Sequence, residues 1–97
     1  MNQPWMQQTL KEGFNHLSAG RLNEAGDCCR RLLESKPDLV EAHFLVGLIA
    51  LELKQNWHAV SAFGSVTKLQ PDNAAAWANL ARLFMQAGQP ARADSAL

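Results

Sequence analysis

The sequence predicts an all-α protein, a solenoid of antiparallel helix pairs, and three observations lead there. Matching residues recur every 34 positions, the apolar residues between them follow helical spacing, and proline or glycine closes each run. Pro37 and Pro71 stand one period apart, as do Ala25, Ala59 and Ala93. Gly13, Gly47 and Ala81 keep a small residue in register, Leu17, Leu51 and Met85 an apolar one, and Cys29, Phe63 and Leu97 another. Gly20 returns two periods later as Gly88, with Lys54 between them. Several series sharing one register exceed coincidence.

Six helices follow from the breaks. The first opens near Pro4, a residue tolerated in a first helical turn, and ends at the Ala19-Gly20 turn. The second runs from about Leu22 to Ser35 and stops ahead of Pro37, because proline disfavours a helical residue before it. Asp38 is expected to cap the third, with Glu41 near its positive end, and that helix lasts to about Leu53. The fourth follows Asn56 as its cap and ends before Pro71. Asp72-Asn73 caps the fifth, which ends near Gly88, and Gln89-Pro90 begins a sixth. The small residues at Gly13, Gly47, Ala81, Ala25, Ala59 and Ala93 mark helix crossings, where larger side chains cost roughly 1–3 kcal/mol in overpacking. Val46, Ile49, Ala50, Phe63, Val66, Leu69, Leu80, Leu83 and Phe84 are expected to fill the space between helices, and Trp5, Trp57 and Trp77 to anchor helix starts.

Composition narrows the function classes. The chain has 97 residues, enough for one domain, and 47% of them are apolar, enough for a modest core. Nine basic residues balance nine acidic ones, so the basic stripe of a nucleic-acid binder is missing; Arg30-Arg31 is the nearest approach to one. The adjacent Cys28 and Cys29 cannot close a structural loop, which suits a reducing, cytoplasmic setting. No secretory signal is visible at Met1 to Trp5, and the longest apolar stretch, Phe44 to Leu51, is too short to span a bilayer.

The pattern resembles the tetratricopeptide repeat. His43-Phe44-x-Val46-Gly47, Ala59, Phe63 and Pro71 follow the family's series of aromatic, leucine, glycine, alanine, phenylalanine and proline. Trp77-Ala78-Asn79-Leu80-Ala81, Gly88 and Ala93 come closer still. The first unit keeps the small residues but has Glu12, Asn15 and His16 at core positions, as a terminal, solvent-facing repeat would. The resemblance implies a right-handed solenoid forming one domain over residues 1–97, with units at about 6–39, 40–73 and 74–97. A third unit on this period runs to about residue 107, so a sequence stopping at Leu97 is expected to be cut from a longer chain.

No constellation for catalysis is legible. His16, His43 and His58 lack paired-ligand spacing, so no metal site is expected, and no glycine cluster could cradle a phosphate or cofactor. Cys29 stands where the next unit has Phe63 and reads as a core residue, with Cys28 pointing elsewhere. The expected function is therefore a binding scaffold and not an enzyme. In the family, the first helix of each pair lines a concave groove. Carried over by repeat position, that groove has Leu10, Phe14 and Leu17 from the first unit, Phe44, Leu45, Leu48 and Leu51 from the second, and Arg82 and Met85 from the third.

The third helix is then apolar nearly all round, the mark of a helix covered on every side. Expected covers are a partner's amphipathic helix, a later segment of the same chain, or a second copy; as it stands, the chain is expected to form a homodimer. Some family members grip acidic carboxy-terminal tails with a clamp of lysine, asparagine and arginine residues. Here Leu10, Phe14, Leu45, Ala75 and Asn79 occupy those five places and match none of them, which disfavours such ligands. A second reading makes the chain the amino-terminal region of a larger enzyme, since it loosely resembles the leading repeats of bacterial sulfotransferases.

Overall fold

Among the described residues, each break expected in the helical pattern is a turn, and the turns alternate between two kinds. The computed structural model describes residues 4–87, in which five helices occur and no strand: α1 Pro4–Ser18, α2 Leu22–Ser35, α3 Val40–Glu52, α4 Asn56–Leu69 and α5 Ala74–Ala87. The expected sixth helix, with Ala93 and Leu97, lies outside the described residues.

Turns of the first kind close α1 and α3. The backbone N–H of Arg21 donates to the carbonyl of His16 at 2.8 Å, and that of Gln55 to Ala50 at 2.9 Å, one period on. This six-to-one hydrogen bond needs a left-handed residue just before it, as in the Schellman termination. Gly20 supplies it with a φ of 81°, and Lys54 with a φ of 60°. Turns of the second kind close α2 and α4. Lys36 donates to Leu32 at 2.8 Å and Gln70 to Val66 at 2.7 Å, with prolines at positions 37 and 71 following. The residue at the family's aromatic position ties each of these turns down: a ring nitrogen of His43 (Nε2) meets the Pro37 carbonyl, and Trp77 Nε1 donates to the Pro71 carbonyl, each at 2.7 Å.

Caps follow the expectation at one helix of three. Asn73 Oδ1 accepts the backbone N–H of Ala76 at 3.0 Å, opening α5. The residue before α3 is Leu39, which makes no side-chain cap, and Asp38 pairs instead with Lys36 at 3.3 Å. Asn56 is the first residue of α4, not the cap, and Gln55 before it makes no side-chain bond.

The helices pack mainly as α1 on α2 and α3 on α4, with α2 and α1 against α3 and α4 against α5 joining the pairs. Two glycines set the crossings. A Cβ placed on Gly13 would lie 2.6 Å from Leu45 Cδ2 and 3.3 Å from Cys28 Cβ; one on Gly47 would lie 2.6–2.8 Å from the Phe63 ring. The core advances along the stack in three patches. Met6, Leu32 and Ala42 form one, Ala25, Cys29, Leu45 and Ile49 the next, and Ala50, Ala59, Phe63, Val66, Ala76, Leu80 and Leu83 the largest.

Several packing expectations need correction. Cys28 is buried as fully as Cys29, because two consecutive positions of α2 face different neighbours and Cys28 meets the bare backbone at Gly13. Leu69 and Phe84 are exposed rather than interhelical. Trp5, Trp57 and Trp77 are all exposed too, Trp57 at 79%. Trp77 serves its helix start through a hydrogen bond rather than through burial.

Candidate functional site

Helix α3 is apolar on two faces. On one, Phe44, Leu48 and Leu51 are half-buried and pack over the largest core patch, Phe44 edge-on to Phe63 at 5.2 Å between ring centroids. Leu10, Phe14 and Leu17 of α1 are half-buried over the neighbouring patch. Between the two helices, Phe14, Val40, Glu41 and Phe44 form a cleft of about 160 Å³, closed at one end by Gln70 and Asn73 of the α4–α5 turn. Six of the nine residues expected in the groove are thus half-covered apolar side chains of α1 and α3.

Leu45 is a correction. It is 0% exposed, and its terminal methyl enters the space that Gly13 leaves empty, so it belongs to the core and not to the groove surface. Arg82 and Met85 are exposed on α5, with the Arg82 guanidinium hydrogen-bonded to the Asn79 side-chain oxygen.

The opposite face of α3 carries a concavity that sequence reading missed. Val46, Ile49 and Ala50 of α3 and Leu53 just after it, with Gly26, Cys29 and Leu33 of α2, surround about 280 Å³ of largely apolar space, rimmed by Arg30, Gln55 and His58. The signal lay in the 34-residue register. Gly26, Cys29 and Ala50 stand where the next unit has Val60, Phe63 and Phe84, so three small residues replace three large ones around one point.

The polar side chains form few contacts with one another. Among the described residues no three His, Cys, Asp or Glu side chains converge as metal ligands, and no helix is long and apolar enough to cross a membrane. Arg21 Nε donates to His16 Nδ1 at 2.8 Å. Arg30 pairs with Asp27 at 2.6 Å on the surface, where an ion pair contributes little. Both cysteines are free thiols. Burial pushes the Cys29 thiol from an ordinary 9.0 up to about 12, and the adjacent Cys28 adds to the shift. Burial also raises Cys28, against the opposing pull of the Arg31 charge. A thiol so protonated is a poor nucleophile.

The repeated turns, the glycine crossings and the 34-residue register have a counterpart among known proteins. A family model described as tetratricopeptide repeat matches residues 50–97. The chain belongs to the tetratricopeptide repeat family. Among curated proteins, this tetratricopeptide chain is similar to the human Superkiller complex protein 3, at 29% identity over 84 residues. That alignment takes in 87% of the chain but 5% of the human protein's length. No solved structure matches. Tetratricopeptide repeats in general are non-catalytic modules for protein–protein interaction, and the helical architecture here is of that kind.

Proposed function

We propose that the chain binds an amphipathic helical segment of a protein partner along the α1–α3 face. One observation carries the reading: α3 is apolar on both sides, yet Phe44, Leu48 and Leu51 remain only half-covered by the chain's own helices. A helix laid into a groove presents anchors at i, i+3, i+4 and i+7, and half-buried leucines and phenylalanines are what such anchors contact. The exposed carboxylates Glu41 and Glu52 flank the apolar strip and favour basic residues at the rim of the incoming helix. Acidic tails find no cationic clamp, since Leu10, Phe14, Leu45, Ala75 and Asn79 occupy its places.

The test uses two synthetic peptides, one with leucines at helical spacing and lysines elsewhere, the other an acidic carboxy-terminal tail. Calorimetry should detect the first and not the second. Leu48→Glu should abolish binding of the first while the helical circular dichroism stays intact. Phe44→Glu is a poorer probe, because Phe44 also supports Phe63. Tight binding of the acidic tail, or unchanged affinity of the leucine peptide for Leu48→Glu, would overturn the proposal.

A further inference from the structure

Glu41 stands between two clefts on the α1–α3 face and lines both. On one side lies the cleft of about 160 Å³ with Phe14, Val40 and Phe44. On the other, Met6, Gln7 and Leu10 of α1 and Leu39 surround about 120 Å³. The two differ in chemistry. The smaller is mainly apolar, with Met6 buried and Leu10 and Leu39 half-buried around it. The larger sets two phenylalanine rings beside a carboxylate and an amide. Among the described residues the ion pairs join Arg30 to Asp27 and Lys36 to Asp38, so no cation of the chain answers Glu41. Both ends of the Asn73 side chain are engaged: its Oδ1 accepts the Ala76 N–H and its Nδ2 donates to Gln70 Oε1, each at 3.0 Å. The Glu41 carboxylate and the second lone pair of Gln70 Oε1 are left as acceptors.

We infer that the larger cleft takes one arginine of the incoming helix, and that the smaller takes a leucine or methionine one helical turn from it. The inference rests on the groove reading proposed above and names the side chains that this groove selects. A surface carboxylate alone holds a cation weakly. Beside Phe14 and Phe44 it acts on a charge partly withdrawn from water, where the ion pair and the attraction of a cation to aromatic rings are both stronger. Arginine suits such a place better than lysine. Its flat guanidinium is weakly hydrated, lies against aromatic rings and offers two N–H groups to a carboxylate at once. A volume of about 160 Å³ is on the order of five water molecules' share of the liquid, room for the outer part of one such side chain. The spacing comes from α1, where Leu10 lines the smaller cleft and Phe14, one helical turn on, the larger. A helix lying along α1 therefore presents its arginine and its apolar anchor at i and i+4.

Calorimetry of the full chain with two further synthetic peptides is the test. Both carry leucines at helical spacing with alanine and glutamine elsewhere. One has an arginine at i+4 from a leucine, and the other has citrulline, its uncharged isostere, in that place. The wild-type chain should bind the arginine peptide roughly tenfold more tightly, the worth of one hydrogen-bonded charge. Glu41→Gln is an exposed substitution that keeps the size of the side chain. It should bring the arginine peptide down to the citrulline level and leave the affinity for the citrulline peptide unchanged. Glu52→Gln, at the far end of α3, should preserve the difference between the peptides. Equal affinity of the wild type for both peptides overturns the inference, as does a Glu41→Gln chain that weakens both alike, or a Glu52→Gln chain that loses the preference as fully. Leu48→Glu separates this inference from the groove reading. If that variant binds neither peptide while the wild type binds both equally, the groove stands and the arginine cleft alone falls. If neither peptide binds the wild-type chain, both fall.

Discussion

Lys54 and Gly20 perform the same task one period apart, and only one of them suits it. A left-handed conformation costs an L-residue with a side chain roughly 1–2 kcal/mol, and Lys54 adopts it at a φ of 60° because the hydrogen bond from Gln55 to Ala50 requires it. Glycine recovers part of that cost, less its greater freedom in the unfolded chain. Lys54→Gly should therefore raise stability by about 0.5–1 kcal/mol in urea unfolding, while Gly20→Ala should lower it by a similar amount.

The buried thiol of Cys29 makes a prediction of opposite character. Its folded value of about 12 lies above its ordinary 9.0, so the folded state keeps the proton that the unfolded state releases. That contribution to stability is complete below pH 9 and is lost as pH rises through about 12. Urea midpoints should fall over this range more steeply for the wild type than for Cys29→Ala, and thiol reagents should label Cys29 at neutral pH only on unfolding.

At the scale of the element, the helices do not start alike. Helix α5 opens on an Asn73 carbonyl that accepts the Ala76 N–H at 3.0 Å, whereas α3 and α4 open without a side-chain cap. Removing a cap costs typically ~1 kcal/mol, and removing a surface ion-pair partner next to nothing. Asn73→Ala should therefore lower the unfolding free energy by about 1 kcal/mol, and Asp38→Ala by less than about 0.5 kcal/mol. Equal losses in chemical denaturation would mean that Asp38 caps α3 after all. The tethers from His43 to Pro37 and from Trp77 to Pro71 belong to the same scale, since each holds the start of an odd-numbered helix against the turn before it.

For the whole molecule, the division between core and proposed groove runs through α3, and two leucines three residues apart fall on opposite sides of it. Leu45 fills the gap at Gly13 and joins the first helix pair to the second, whereas Leu48 is half-buried at the surface. A charge at Leu45 has no partner and no route to water, a change that takes ~4 kcal/mol or more from a domain whose total is roughly 5–15 kcal/mol. Leu45→Glu should unfold much of the chain by circular dichroism, while Leu48→Glu should keep its helices and lose only peptide binding. A folded Leu45→Glu would show that the two helix pairs do not depend on this contact.

Among the described residues, helix positions, turn positions and the repeat register were legible in the order of residues, because they depend on local spacing: proline past the first turn ends a helix, and a period of 34 survives any packing. The register also pointed to the core role of Cys29 and to the small residues at Gly13 and Gly47. What spacing leaves undecided is which neighbour a side chain meets. Leu45 and Leu48 both look like groove residues on an isolated α3, and only the arrival of α1, bare at Gly13, draws Leu45 inward. Cys28 looks surplus beside Cys29 until the same glycine receives it, and Trp57 looks like an anchor until no helix among the described residues covers it. The concavity behind α3 is set by Gly26, Cys29 and Ala50 together, from two helices brought into contact, so its shape exists only once the chain has packed.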